Sequence, residues 1–134
     1  MTANQPMEAS SLPKEKSSSP KPPAFFLAGD STAAIHSCHG GGWGDGFLSC
    51  LKPPAWGLNF GHNGATTVSF VEDGDWANVM KQVKDNTGKY NVYVTIQFGH
   101  NDQKPAANIS STSYQRNLED LAITVKKAGA TPVS

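Results

Sequence analysis

Ser31, Gly64 and Asn101 are the residues of this chain whose types and spacing could do chemistry together. Ser31 closes the stretch Phe25-Phe26-Leu27-Ala28-Gly29-Asp30-Ser31-Thr32, an apolar run that turns small and polar, as a buried strand does on entering a loop. Parallel α/β sheets bind ligands outside the carboxyl ends of their strands, so a serine just past such an end is a candidate nucleophile. Gly64 and Asn101 stand in the same relation to two later strand-like runs, Trp56 to Phe60 and Asn91 to Phe98. Acyl transfer needs a nucleophile and hydrogen-bond donors for the oxyanion that develops on the carbonyl. A glycine N–H and an asparagine amide are such donors. The competing reading is structural, because Asp30, Ser31 and Thr32 are all good helix caps.

Other reactive types are present without a matching pattern. His36, Cys38, His39 and Cys50 are zinc-ligand types, but their spacing fits no standard site. The glycine-rich stretch Ile35 to Gly46 lacks the GxxxxGK[ST] phosphate-binding pattern and reads as a mobile loop. The two cysteines are either separate thiols or a single bridge across that loop, according to the redox compartment.

The elements that must position these residues follow from periodicity. Ala24 to Ala28 reads as a strand, Asp45 to Leu51 as a short helix ended by Pro53 and Pro54, and Trp56 to Phe60 as a second strand. Gly61 to Thr67 turns into a short helical stretch. From Asp75 to Lys84, Trp76, Val79, Met80 and Val83 recur with the period of a helix and form one buried stripe. Val92, Val94, Ile96 and Phe98 alternate in the clearest strand. Tyr114, Leu118, Leu121, Ala122 and Val125 give a helix from Ser113 to Ala128 its apolar face, with Lys126, Lys127 and Gly129 at its end. Thr131-Pro132-Val133 opens a fourth strand. Strands alternating with helices predict a parallel sheet covered by helices.

Composition bounds the rest. The 134 residues hold 11 Lys+Arg and 11 Asp+Glu, a formal net charge of zero, which provides no basic footprint for nucleic acid. No apolar run reaches the ~18 residues of a membrane helix, and no apolar signal segment opens the chain. On composition the chain stays inside the cell, unless a leader is missing. Met1 to Pro23, rich in Ser, Pro, Lys and Glu, reads as a disordered tail, and residues 24–134 as the folded part.

Three blocks, in order, resemble those of the SGNH (GDSL-type) hydrolases and, among these, the rhamnogalacturonan acetylesterases. Gly29-Asp30-Ser31-Thr32 matches the first, Asn59 with Gly64 five residues later the second, and Gly99-His100-Asn101-Asp102 the third. The extended form Gln97-Phe98-Gly99-His100-Asn101-Asp102 is the most specific match, and Trp43-Gly44 fits the acetylesterase branch. The resemblance runs from Ala24 to Ser134. It implies that Ser31 is the nucleophile, with its own N–H, the Gly64 N–H and the Asn101 side chain forming the oxyanion hole. Asp30 and Asp102 then brace loops. It further implies no metal or cofactor, an acetylated plant cell-wall polysaccharide (rhamnogalacturonan or pectin) as substrate, and an extracellular location. The implied fold is a flavodoxin-like three-layer α/β/α parallel sheet of strand order 2-1-3-4-5, cut short after the third βα unit.

Two departures accompany the match. The second block continues Gly64-Ala65-Thr66-Thr67, where the acetylesterases carry arginine- and serine-rich sequence. The family's C-terminal Asp-x-x-His is absent: Ala33, His36, Asn59 and Gln97 stand three residues before the four histidines. The chain therefore reads as the N-terminal half of an esterase domain, weakly active by itself, with the Val92-to-Phe98 strand left at an open apolar edge. The alternatives are a non-catalytic remnant that binds a glycan or a protein, and a lipase or thioesterase of the same fold.

Overall fold

The computed structural model describes residues 20–35 and 40–134. The apolar run becomes β1 (Pro23–Gly29), in which Ala24 and Phe26 to Gly29 are buried. β2 (Trp56–Asn59), β3 (Asn91–Gln97) and β4 (Thr131–Val133) complete a four-stranded parallel sheet of order β2-β1-β3-β4. This is the flavodoxin-like order as far as the strands run. It reverses direction between β1 and β3, and the crevice for a ligand in such sheets opens outside the carboxyl ends at that reversal.

Side-chain alternation assigns the two faces. Ala24, Phe26 and Ala28 of β1 join Val92, Val94 and Ile96 of β3 in one core with Val79 and Val83 of α3 (Asp75–Asn86) and Leu121 and Val125 of α4 (Ser111–Lys127). On the opposite face Phe25 stacks on Tyr93 and meets Phe47 of α1 (Trp43–Ser49) edge-on, with ring centroids 5.2 and 5.1 Å away. Helices therefore lie on both sides of the sheet, which is the expected three-layer arrangement. A one-turn α2 (Ser69–Glu72) plugs Phe70 into the core against Phe98.

The ends of elements differ from the sequence reading for local reasons. Pro23 already pairs with Asn91, so the folded part starts one residue before the expected boundary at 24; proline is tolerated at the first position of a strand. The rest of the expected tail, residues 1–19, lies outside the described residues. α1 starts at Trp43 rather than Asp45 because the N–H groups of Gly42 and Trp43 donate to the Ala34 and Thr32 carbonyls, docking the helix start on the Ser31 loop. α4 starts at Ser111, capped by Ser110, whose hydroxyl accepts from the Ser113 N–H. At its other end Gly129 takes φ +90° and the Ala130 N–H returns to the Val125 carbonyl, a Schellman closure.

The expected open edge on β3 is also corrected. Thr131, Pro132 and Val133 pair with Tyr93, Val94 and Thr95, so β4 is the edge strand. It is short and carries a proline, both of which blunt an edge against further pairing.

Phe26 tests the packing. It is fully buried beneath the rings of Trp56 and Phe60. Phe26→Ala is expected to cost about 3–5 kcal/mol in urea unfolding, a large part of the ~5–15 kcal/mol that holds a typical domain together. A loss under about 1 kcal/mol would contradict this core assignment.

Candidate active site

β1 is flanked by β2 and β3, so the loops that follow these three strands emerge side by side at one edge of the sheet. Ser31 lies on the first, Gly64 on the second and Asn101 on the third. The loops are also bonded to each other. The Phe60 and His62 N–H groups donate to the Leu27 and Gly29 carbonyls, which carries the β2 loop along β1 toward Ser31. Gly61 approaches so closely that a Cβ there would lie 2.6 Å from the Ala34 nitrogen.

Each motif acid or amide has a definable position. Asp30 is buried, and its Oδ1 accepts from both the Thr32 N–H (2.9 Å) and the Thr32 hydroxyl (2.7 Å). Its carbonyl accepts from Ala33 and Ala34. The capping role thus falls to Asp30, and among the described residues neither the Ser31 N–H nor its hydroxyl has a hydrogen-bond partner. Asn59 donates through Nδ2 to the Ala33 carbonyl and Asp45 Oδ1, and accepts from the Gly61 N–H, so it is spent on holding loops.

Gly64 adopts φ +82°, which strains any residue with a Cβ, and its N–H likewise has no partner among the described residues. Asn101 is buried. Its Nδ2 donates to the Ala65 carbonyl at 3.1 Å, and its Oδ1 accepts from Lys104 Nζ at 2.9 Å. A primary amide has two N–H groups, so one remains. The neighbouring His100 is exposed.

Asp102, also buried, accepts through Oδ2 from the Thr67 N–H (2.9 Å) and hydroxyl (2.6 Å), while Asn117 of α4 donates to that hydroxyl. Thr66 and Ser69 exchange hydroxyl-to-backbone bonds in the manner of a capping box. The Thr66-Thr67 departure thereby acquires a structural role: both threonines fix the turn that carries Gly64. Consecutive residues Asn101 and Asp102 grip this turn at Ala65 and Thr67.

Tyr114 of α4 donates to the Phe98 carbonyl at 2.7 Å. Burial, followed by the negative charges of Asp102 and Asp30, pushes its phenol above the ordinary tyrosine range.

Sequence reasoning missed two partnerships. Lys104 was not singled out, although it holds the Asn101 amide. His62 lacks an aspartate three residues ahead, yet its Nδ1 lies 2.7 Å from Asp75 Oδ2, supplied from the start of α3. No sequence spacing announces that pair, because the fold brings α3 back onto the β2 loop. Of the four zinc-ligand types that the sequence reading set aside, only Cys50 lies within the described residues, exposed at the end of α1; His36, Cys38 and His39 lie outside them, as does any Cys38–Cys50 pairing. Two clefts are lined by residues of these loops, though neither by Ser31, Gly64 or Asn101 themselves. One of about 400 Å³ includes Gly61, His62, Asn63 and Asp75, and one of about 510 Å³ includes Gly99, Asp102, Gln103 and Tyr114. Among the described residues no helix is long and apolar enough to cross a membrane.

A flavodoxin-like sheet with a serine, a glycine and an asparagine at adjacent strand ends is the layout of an SGNH-type hydrolase fold. The chain is 36% identical over 116 residues to the rhamnogalacturonan acetylesterase RhgT of Bacillus subtilis, covering 84% of this chain and 48% of RhgT. It is 28% identical over 115 residues to the probable rhamnogalacturonan acetylesterase YesY of the same organism, covering 81% of this chain and 51% of YesY. The chain is thus similar in sequence to rhamnogalacturonan acetylesterases, and it spans about half the length of these curated relatives. The crystal structure of the Bacillus subtilis protein YXIM superposes with a TM-score of 0.69 at 22% identity, over 84% of this chain and 32% of that one. No family model matches the chain.

Two outcomes follow from the geometry. Thr67→Val removes one of the two bonds to the buried Asp102 oxygen and is expected to cost about 1–3 kcal/mol in chemical unfolding, with Thr67→Ser close to native. Equal stability of all three proteins would mean that the clamp is absent. Tyr114 sets an alkaline limit. Its folded pKa lies above the ~10 of an unfolded tyrosine, so above that pH the folded state binds more protons than the unfolded state. This contribution is complete below about pH 10 and is lost as pH rises through the folded pKa. Tyr114→Phe should therefore flatten the fall of stability above about pH 10, and an unchanged alkaline slope would contradict the shift.

Proposed function

We propose that this chain carries the nucleophile and the oxyanion hole of a serine ester hydrolase that removes acetyl groups from plant cell-wall polysaccharide of the rhamnogalacturonan or pectin type, acting outside the cell. One observation carries the reading: three donors remain unspent at three adjacent strand ends, namely the Ser31 N–H, the Gly64 N–H and one N–H of Asn101. Asp30, Asn59 and Asp102 are engaged in holding loops, whereas the Ser31 and Gly64 N–H groups have no partner among the described residues and Asn101 keeps one N–H beside the one given to Ala65. The names of the curated relatives supply the substrate class.

Ser31 Oγ attacks the acetyl carbonyl carbon and its proton passes to a base. The carbonyl π electrons move to oxygen, where the three donors meet the new negative charge. Collapse of the intermediate breaks the bond to the sugar oxygen, which leaves as a hydroxyl after taking the proton. Water then attacks the acetyl-serine in the same way, releasing acetate and restoring Ser31. The donors favour the oxyanion over the ground-state carbonyl, and that difference lowers the barrier.

The base is the incomplete part. Family members use the histidine of Asp-x-x-His, which these 134 residues lack. Without such a base, serine hydrolases retain only about 10³–10⁴ over the uncatalysed rate. Acetate release from acetylated rhamnogalacturonan should accordingly be slow with the 134-residue chain. It should rise by orders of magnitude in a chain extended to carry Asp-x-x-His, and there fall to background in Ser31→Ala. An extended chain whose turnover survives Ser31→Ala would overturn the assignment. Rapid Ser31-dependent turnover by the 134-residue chain would instead show that a base exists within these residues.

A further inference from the structure

The geometry points to Lys104 as the positioning residue of the oxyanion hole, the group that fixes which way the Asn101 amide faces and strengthens its donation to an anion. The catalytic part of this inference rests on reading Asn101 as an oxyanion donor; the structural part does not.

The Asn101 side chain is buried and touches two polar atoms that cannot exchange roles. Ala65 O only accepts, and Lys104 Nζ only donates. Turning the amide by 180° would set its NH₂ against an ammonium and its oxygen against a carbonyl, so two attractive contacts would become repulsive. A planar amide held at both ends leaves its second N–H one direction. Ala65 O secures only the nitrogen. Lys104 secures the oxygen, and with it the choice between the two orientations.

The backbone makes that reach short. The Lys104 N–H donates to the Asn101 carbonyl at 3.2 Å, and the Lys104 carbonyl accepts from Ala107 at 2.9 Å. Pro105 opens the 3₁₀ turn Pro105–Ala107 immediately afterwards. The lysine stem therefore folds back over its own turn onto a residue three positions earlier. Lys104 is itself exposed, so its other two N–H groups stay hydrated and the bond requires little desolvation of the charge. A hydrogen bond from a charged donor to Oδ1 draws electron density from the amide nitrogen and makes its N–H a stronger donor. The effect grows with charge on the acceptor, so it favours an oxyanion over a neutral ester carbonyl.

The test uses nuclear magnetic resonance on the 134-residue chain, with acetate as an anion probe and Lys104→Met, Lys104→Arg and Lys127→Met as variants. Lys127 lies at the C-terminal end of α4 and controls for loss of one positive charge. In the native chain the Asn101 side-chain N–H pair is expected to exchange slowly with solvent, and acetate should shift it together with the Gly64 N–H. Lys104→Met should speed that exchange about tenfold or more and weaken acetate about tenfold, while Lys127→Met changes neither and Lys104→Arg recovers part of both. In the chain extended with Asp-x-x-His, Lys104→Met should lower kcat and spare KM, by less than the ~10²–10³ lost with an oxyanion donor itself. Unchanged Asn101 exchange in a folded Lys104→Met protein overturns the inference. Faster exchange in Lys104→Met with no acetate response in the native chain upholds the hold on the amide and overturns the donor role of Asn101.

Discussion

The register between β1 and β3 is the constraint on which the rest depends. The two strands pair over seven residues, from Pro23 with Asn91 to Gly29 with Gln97. This pairing delivers Asp30-Ser31 and Phe98 to Asn101 to the same level at the same edge. A slip by one residue would turn Phe26 and Val94 out of the core and carry the two loops out of step. Glycine at position 29 belongs to the same constraint: a Cβ there would come within 2.8 Å of the Gln97 carbonyl and force the strands apart at the point where the site begins.

Above that register, motif residues divide into those that hold and those that are held. Asp30 turns the chain beneath Ser31, Asn59 ties the β1 loop to α1, and Asp102 with Thr67 fixes the turn bearing Gly64. Each makes more than one hydrogen bond, which converts a flexible loop into a fixed one. Among the described residues the Ser31 and Gly64 N–H groups are left without partners, and they are donors that the proposed reaction assigns to the ester. A donor already satisfied by protein cannot gain strength when charge develops on a substrate, so only unspent donors could serve the proposed chemistry.

Much of the fold was legible in the residues. Alternation in Val92, Val94, Ile96 and Phe98 and the helical stripe Trp76, Val79 and Val83 depend only on the period of a strand or a helix against a single apolar face. Their order along the chain gave the parallel sheet, because helices between strands force crossovers. Boundaries were less legible. α1 begins at Trp43 because Thr32 and Ala34 offer carbonyls from another part of the chain, and β4 covers β3 because three residues suffice for a parallel ladder.

By itself the sequence determined the element types, the order of the motif blocks, their likeness to a hydrolase family and the lack of an Asp-x-x-His. All of these are properties of spacing along one chain. Only the tertiary structure decided which atoms of the motif are already committed, that Thr67 and Asn117 serve Asp102, that Asp75 faces His62, and that Lys104 reaches back to Asn101. The physical reason is that a hydrogen bond depends on distance and direction in space. Residues 35 or 50 apart in sequence, such as Thr67 with Asp102 or with Asn117, meet only once the sheet has set the level of every loop.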